Sequence, residues 1–152
     1  VNIQGDEPLV SPAAIDQLAA AMLADRTLRM ATLATAFRSR SELASPTTAK
    51  VAVDLAGYAL YFSRSQVPFR RESARFDLRD YRKHIGLYAY RADLLGQFTA
   101  WRSGRLEQVE QLEQLRALEH GVRIKVVDTR HHSPAVDTPA DLRRVARLLA
   151  AK

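Results

Sequence analysis

Helix-like and strand-like segments alternate along most of this chain, which restricts the folds that it can adopt. Ser11 and Pro12 begin an apolar pattern with helical spacing that predicts a helix at about 12–24, and the short, uncharged run 30–35 is typical of a strand. The same patterns predict strands at 85–90 and 124–127, and helices at 92–101, at 106–119 and from 138 onward. A chain in which helices alternate with strands is typical of a layered α/β domain.

Two of the predicted strands are neighbours in the sequence. Residues 49–54 and 58–63 are both strand-like and flank a short turn that contains Gly57. Strands joined by so short a turn pair as an antiparallel hairpin. The hairpin therefore predicts an α/β domain whose sheet is mixed.

The predicted helix at 106–119 has an apolar residue at every third position. These residues are Leu106, Val109, Leu112, Leu115 and Leu118. Because each helical residue turns by about 100°, a stripe with this spacing drifts by about 60° at each step and winds around the helix. We expect such a helix to be contacted on several sides, by the sheet and by a second subunit.

The positive charge of the chain is concentrated in residues 64–83, here called the basic segment. The 152 residues have a net charge of +6, and the basic segment contributes +4 of it, which favours an anionic partner. Phe69, Phe76 and Tyr81 lie among its basic residues, so the segment suits single-stranded nucleic acid, a carboxylate or phosphate ligand, or a solvated loop. Nucleic acid is the weakest alternative, because the charge is local and no recognised nucleic-acid motif accompanies it.

Several classes of protein are excluded by what the sequence lacks. There is no Cys, which excludes disulfides, thiolate zinc sites and cysteine catalysis. No apolar run approaches the roughly 20 residues that span a bilayer, so we expect no membrane partner. The two common glycine-rich phosphate-binding motifs, GxxxxGK[ST] and GxGxxG, are both absent. The chain starts at Val1, not Met, in a strand-like run, and we expect it to begin inside a larger protein.

Two aspartates follow strand-like runs and precede helical patterns. Asp6 lies in the run 4–8, and Asp137 lies just before Thr138 and Pro139. Open α/β sheets bind ligands at the carboxyl ends of their strands, and Mg²⁺ is typically held by one or two carboxylates together with substrate phosphates. The two residues are therefore candidate metal ligands; the alternative for each is a solvated turn or a helix cap.

The histidines give weaker signals. His84 lies at the start of a predicted strand, and a lone histidine in such a place is more often structural than catalytic. His131 and His132 are adjacent, so they point in different directions, and no third ligand is spaced for zinc. We expect that pair to be exposed polar residues.

Several segments, in order along the chain, match the motifs of one enzyme family. Residues 1–8 are similar to its VNVQGDEP segment, 57–64 to GYALYFSR, and 83–91 to RHIGIYAYR; 106–116 match LE…LEQLR, and 136–139 match VDTP. The likeness runs from Val1 to about Leu149 in the right order and spacing. On these motifs the chain resembles the 3-deoxy-manno-octulosonate (Kdo) cytidylyltransferases, also called CMP-Kdo synthetases.

The resemblance implies a fold, an activity and a set of site residues. The fold would be a three-layer, Rossmann-like nucleotide-diphospho-sugar transferase domain with a mixed sheet. The activity would be transfer of CMP from CTP to Kdo, releasing pyrophosphate for lipopolysaccharide synthesis, by a Mg²⁺-dependent homodimer in the cytoplasm. Asp6 and Asp137 look like the family's catalytic, metal-binding carboxylates. Its sugar-binding residues correspond to Gln4, Arg64, Arg71, His84, Tyr88, Glu113 and Gln114.

The chain also departs from the family pattern. The family's first strand and its basic PAR…STRLPGKPL loop, which grips the CTP phosphates, have no counterpart here. We therefore expect residues 1–152 to be the C-terminal part of a single cytidylyltransferase domain, with the sugar-binding, metal-binding and dimerisation functions, and to need the nucleotide-binding segment for activity. The alternative is a catalytically inactive module that binds a sugar acid or a partner. Phe69, Lys83 and Ala135 replace the family's Trp, Arg and Gly.

Overall fold

The computed structural model describes residues 1–5, 7–71, 76–132, 136 and 138–150. Asp6 and Asp137, the two predicted metal ligands, lie outside these ranges. The strands are β1 (Asn2–Ile3), β2 (Met30–Ala36), β3 (Lys50–Val53), β4 (Ala59–Ser63), β5 (Arg82–Tyr90) and β6 (Ile124–Asp128). The helices are α1 (Pro12–Ala24), α2 (Arg40–Ala44), a 3₁₀ turn (Leu78–Asp80), α3 (Ala92–Ala100), α4 (Arg105–Glu110), α5 (Gln114–Glu119) and α6 (Pro139–Ala150). Within the described ranges no helix is long and apolar enough to cross a membrane.

The described strands form one mixed sheet with the order β4-β3-β5-β2-β6, and β1 also pairs with β5. Strands β2 and β6 are parallel, while β3 and β4 form the predicted antiparallel hairpin. Strand β5 lies in the centre and is antiparallel to β1, β2 and β3. The mixed sheet expected from the sequence is confirmed.

Helices cover both faces of this sheet. On one face α1 buries Leu18 and Met22 against Leu33 and Leu87. On the other face Leu94 of α3 and Leu115 of α5 pack with Met30 and Ile124. The result is the three-layer, Rossmann-like α/β arrangement predicted from the resemblance.

The predicted boundaries are mostly confirmed, with small extensions. Helix α1 occupies 12–24 as expected from its N-terminal Pro12 and its spacing. Strand β5 starts at Arg82 instead of residue 85, so the end of the basic segment belongs to the sheet. The sequence patterns did not predict the short helix α2, which is capped by a hydrogen bond from the Glu42 backbone N–H to Ser39 Oγ.

The prediction of one helix over 106–119 is wrong. The helix is interrupted between α4 and α5, where Gln111 adopts a left-handed backbone conformation with φ 53°. A continuous helix would carry its apolar stripe away from the sheet, whereas the break turns Leu112 and Leu115 into the core. Leu106 and Val109 stay exposed on α4.

One edge of β5 is only partly paired, and this creates the opening in which the candidate site lies. Along that edge β3 pairs with Arg82 and Lys83, while β1 pairs with Leu87 and Tyr88. The two strands therefore leave residues 84–86 between them, although the His84 backbone N–H still donates to the carbonyl oxygen of Ala49, just before β3, at 3.0 Å. On the opposite edge, the pairing with β2 shifts at the same level, between Thr32 and Leu33. The middle of β5 is thus irregularly paired, and its residues His84 and Gly86 remain partly exposed.

Candidate functional site

A cavity of about 900 Å³ lies at the gap between β1 and β3. Its walls come from the residues after β1, the middle of β5, the α4–α5 connection, the segment 38–49 and helix α6. Gly86 brings two of these walls together, because Glu7 Oε1 and Gln4 Cγ lie 3.4 and 3.5 Å from the position that a Cβ would occupy there. The chain after β1 therefore packs directly against β5.

The structure brings most of the predicted sugar-binding residues to this one cavity. Those that line it are Gln4, Arg64, His84, Tyr88, Glu113 and Gln114. Arg71 is exposed and is not among the lining residues. The residues that line the cavity come from chain positions more than 100 apart, so the fold is needed to assemble them.

His84 is a half-buried, neutral side chain at the centre of the cavity wall. Its ring meets Phe62 edge to face, with 5.0 Å between centroids, and lies 5.4 Å from the ring of Tyr88. Burial lowers the pKa of His84 from its ordinary value of 6.5 to about 3. The imidazole therefore acts as an uncharged hydrogen-bonding group at neutral pH.

This buried histidine makes the stability of the fold depend on pH. In the unfolded chain His84 binds a proton below about pH 6.5, whereas in the folded state it stays neutral until about pH 3, so stability falls as the pH falls between those values. A difference of one pKa unit between the folded and unfolded states corresponds to about 1.4 kcal/mol. Because the ring also faces the cavity, we expect a loss of about 1 kcal/mol between pH 7 and pH 5, measured by urea unfolding.

The comparison for that measurement is the His84→Gln variant, which keeps a polar side chain but has no imidazole to protonate. Its free energy of unfolding should fall less between pH 7 and pH 5 than that of the unchanged protein. Equal slopes for the two proteins would contradict the assignment of the pH dependence to His84.

Tyr88 is a second uncharged group in the cavity. The side chain is buried, and burial, with smaller contributions from Tyr90, Glu113 and Glu7, raises the pKa of its phenol well above 10. The hydroxyl therefore keeps its proton and can both donate and accept a hydrogen bond. His84 and Tyr88 together give the cavity a neutral wall suited to hydroxyl groups.

Gln114 supplies the clearest sign that the cavity binds a polar ligand. Its side chain is only 4% exposed, and its Nε2 group has no hydrogen-bond partner among the described residues. A buried amide donor without a partner costs about 1–3 kcal/mol. Glu113, the preceding residue, is exposed and also lines the cavity. A ligand that accepts a hydrogen bond would satisfy the Gln114 amide.

Arg64 holds one wall of the cavity together. Its guanidinium donates to the backbone carbonyls of Glu110 (2.9 Å), Pro46 (3.0 Å), Thr47 (3.3 Å) and Gln111 (3.1 Å). These bonds join the loop before β3 to the end of α4. A ligand contact by Arg64 would therefore share the guanidinium with these four carbonyls.

Lys50 reinforces the same wall, and sequence reasoning did not assign it a role. The side chain is fully buried, and its Nζ donates to the carbonyl oxygens of Ser45, Thr48 and Arg64, each at 2.7 Å. Burial lowers the pKa of Lys50, and nearby Arg64 lowers it further, while Glu110 raises it. A lysine in a strand that is otherwise apolar was the available signal, because lysine is rarely buried without partners.

The aromatic residues of the basic segment do not form a single exposed platform. Tyr81 is buried and stacks on Phe76 with 5.8 Å between ring centroids, next to Leu43. Arg40 lies over the other residue of the pair, 4.1 Å from the Phe76 ring centroid. Phe69 is 86% exposed. Two of the three rings are thus used in packing and are not free to stack on bases.

The predicted metal ligands cannot be compared with described geometry, since Asp6 and Asp137 lie outside the described residues. In the ranges that are described, no group of three or more His, Asp or Glu side chains is placed to hold a metal ion. Glu7 and Asp141 nevertheless line the cavity, so hard carboxylate oxygens of the kind that Mg²⁺ prefers are present around it.

His131 and His132 are half-buried, so the prediction that both are exposed is wrong. His131 Nδ1 lies 3.4 Å from Ser11 Oγ at the start of α1. His132 lines the cavity, and its pKa is lowered by burial and then by Arg38 and Lys83. The contact with Ser11 and the position in the cavity lining thus leave each ring only partly exposed.

Sequence comparisons agree with this architecture. A family model described as "Cytidylyltransferase" matches residues 1–124. The chain is 48% identical over 151 residues to the 3-deoxy-manno-octulosonate cytidylyltransferase of Desulfosudis oleivorans, covering 99% of this chain and 60% of that protein. It is 51% identical over 158 residues to the enzyme of the same name from Pseudomonas fluorescens strain SBW25, covering 99% of this chain and 62% of that protein.

A solved structure gives the same result in three dimensions. The chain superposes with a TM-score of 0.88, at 41% identity, on a structure of CMP:2-keto-3-deoxy-manno-octonic acid synthetase complexed with CTP, covering 99% of this chain and 61% of that one. The chain thus spans about 60% of the length of the relatives it matches. Since the family model matches most of its residues, the chain belongs to the cytidylyltransferase family.

Proposed function

We propose that the protein containing this chain is a Kdo cytidylyltransferase. The anomeric hydroxyl oxygen of Kdo would attack the α-phosphorus of CTP, the bond from that phosphorus to the β-phosphate oxygen would break, and pyrophosphate would leave while the hydroxyl proton is released. The observation that carries the proposal is the unpartnered, buried amide of Gln114 in a large cavity lined by both neutral polar and charged side chains. Its relatives carry the name of this activity.

In this proposal the cavity binds the sugar acid. Kdo has several hydroxyl groups and one carboxylate, and these need different partners. Gln4, His84, Tyr88, Glu113 and Gln114 would bind the hydroxyl groups. Arg64 and Arg71 are proposed for the carboxylate, with the backbone bonds of Arg64 fixing its position at the cavity wall.

Asp6 and Asp137 are proposed to hold Mg²⁺ beside the triphosphate. Support comes from their described neighbours in the sequence, since Gln4, Glu7 and Asp141 all line the cavity. The ion would supply positive charge that offsets the charge developing at the α-phosphate.

Three further parts of the proposal concern the whole protein. We propose that residues 1–152 form the sugar-binding, metal-binding and dimerisation part of one cytidylyltransferase domain, and that the protein acts in the cytoplasm. A homodimer is favoured by the exposed Leu106 and Val109 of α4. Sedimentation velocity of the full-length protein measures its mass in solution, and a monomer would contradict the dimer.

The activity is tested by pyrophosphate release from CTP, Kdo and Mg²⁺, using the full-length protein. Release that requires all three components is expected. The Gln114→Leu variant should raise KM for Kdo about tenfold or more, because it removes a hydrogen-bond donor without changing the size of the side chain greatly, while KM for CTP stays nearly unchanged.

Gln108→Leu is the matched control, because Gln108 is exposed on the neighbouring helix α4 and does not line the cavity. It should keep both KM values. Binding of Kdo without any pyrophosphate release would instead favour the inactive sugar-acid-binding module. No binding of Kdo at all would refute the assignment of the cavity.

A further inference from the structure

Thr32 lies on β2, the strand next to β5, and contacts His84 in the cavity wall. The side chain is fully buried on β2, at the level where the pairing with β5 shifts. Its hydroxyl oxygen Oγ1 lies 3.0 Å from His84 Nε2, 2.9 Å from the carbonyl oxygen of Leu87 and 3.2 Å from that of Ile85. The irregular strand pairing therefore brings three polar atoms to one hydroxyl.

The hydrogen atoms at this contact can be assigned by counting donors. Thr32 has one hydroxyl hydrogen, and the two carbonyl oxygens are acceptors only. If the hydroxyl donated to His84, both carbonyl oxygens would face oxygen lone pairs at 2.9 and 3.2 Å without a hydrogen between them. In the arrangement with less repulsion, the hydroxyl donates to one of these carbonyl oxygens and His84 Nε2–H donates to Thr32 Oγ1, so only one oxygen–oxygen contact is left without a hydrogen.

This assignment also fixes the protonation state of the other ring nitrogen of His84, Nδ1. A neutral imidazole with a proton on Nε2 has a lone pair on Nδ1. No hydrogen bond joins Nδ1 of His84 to another residue in the described part of the chain, and His84 lines the cavity. A ligand hydroxyl that donates a proton would satisfy this nitrogen, whereas a carboxylate oxygen would be repelled by its lone pair.

We propose that Thr32 is a positioning residue that holds His84 as the Nε2–H tautomer, so that Nδ1 accepts a hydrogen bond from a hydroxyl group of the ligand. The inference rests on the proposed function for the identity of that ligand, Kdo, but not for the tautomer. It directs a hydroxyl-bearing part of the sugar acid toward His84 and its carboxylate elsewhere in the site.

The tautomer is tested on the ligand-free, full-length protein by long-range ¹H–¹⁵N correlation of its histidine rings. The His84→Gln variant identifies the signals of His84. We expect Nε2 to have the shift of a protonated nitrogen and Nδ1 that of an unprotonated one. The reverse pattern, or a rapidly exchanging mixture of tautomers, would overturn the proposal. This readout does not depend on Kdo or on turnover.

The consequence for binding is tested by calorimetric titration of Kdo into variants of the same protein. Thr32→Val has nearly the same shape but no hydroxyl, and it should weaken Kdo binding about tenfold and lose the Nε2–H tautomer signature. Thr32→Ser restores the hydroxyl and should bind within about twofold of the unchanged protein. CTP binding should change little in either variant.

These outcomes separate the inference from the proposed function. The expected tautomer with no Kdo binding by the unchanged protein would refute Kdo as the ligand and leave the tautomer standing. Equal loss of Kdo and CTP binding in Thr32→Val, or failure of Thr32→Ser to restore binding, would overturn the positioning role. If Thr32→Val does not fold, the ring spectra of the unchanged protein still test the tautomer. Loss of Kdo binding in Thr32→Ser would still overturn the positioning role.

Discussion

Asp6→Asn and Asp137→Asn should each lower kcat/KM for CMP transfer by at least about 100-fold in the full-length protein. Asparagine keeps the size of the side chain but removes the negative charge that a Mg²⁺ ligand supplies. Loss of a partner that only orients a metal ligand costs about 10–100-fold, so loss of a ligand should cost no less. The described neighbours Glu7 and Asp141 line the cavity where the reaction is proposed to occur.

Asp16→Asn is the matched control for both variants, because Asp16 is an exposed carboxylate on α1 and does not line the cavity. It should keep the activity of the unchanged protein. Raising the Mg²⁺ concentration should recover part of the activity of the two site variants if they bind the ion more weakly. Activity within about threefold of the unchanged protein in either variant would rule out that aspartate as a metal ligand.

Much of the fold could be predicted because its signals are local. The N-terminal Pro12 of α1 and the short turn at Gly57 act over a few residues, and both predicted elements are confirmed. The break between α4 and α5 has no such signal, since Gln111 adopts a positive φ that favours glycine or asparagine. Its hydrogen bond to Arg64 forms only in the folded protein.

In the site, too, some residues could be predicted from local sequence motifs and others could not. Motif likeness identified His84 and Gln114, which line one cavity, but it gave no role to Thr32 or Lys50. Thr32 lies in a strand whose residues are mostly buried, and its partner His84 is 52 positions away. Contacts of this kind depend on strand register, which local sequence patterns do not specify. Thr32 therefore could not be found from the sequence, whereas Lys50 left a signal as a lysine in an otherwise apolar strand.

Arg116→Met should lower the free energy of unfolding by about 3 kcal/mol, measured by urea denaturation at pH 7. Arg116 forms a two-pronged ion pair with the buried Glu107, at 2.7 and 2.5 Å, and also contacts the carbonyl oxygens of Phe98 and Trp101. The bonds to Arg116 lower the pKa of Glu107 and so favour its charged form, whereas burial alone would raise that pKa. A buried charge without a partner is the cause of the expected loss.

Adding Glu107→Gln to Arg116→Met should recover part of that stability, because it removes the unpaired charge. Arg29→Met is the control, since Arg29 pairs with the exposed Asp93 at the surface, and it should leave the unfolding midpoint nearly unchanged. The ion pair joins α4 to α5, and the bond from Arg116 to the Phe98 carbonyl oxygen connects both to α3; α5 begins with Gln114. Arg116→Met should therefore also weaken Kdo binding, and a variant as stable as the unchanged protein would show that the pair does not hold this wall of the cavity.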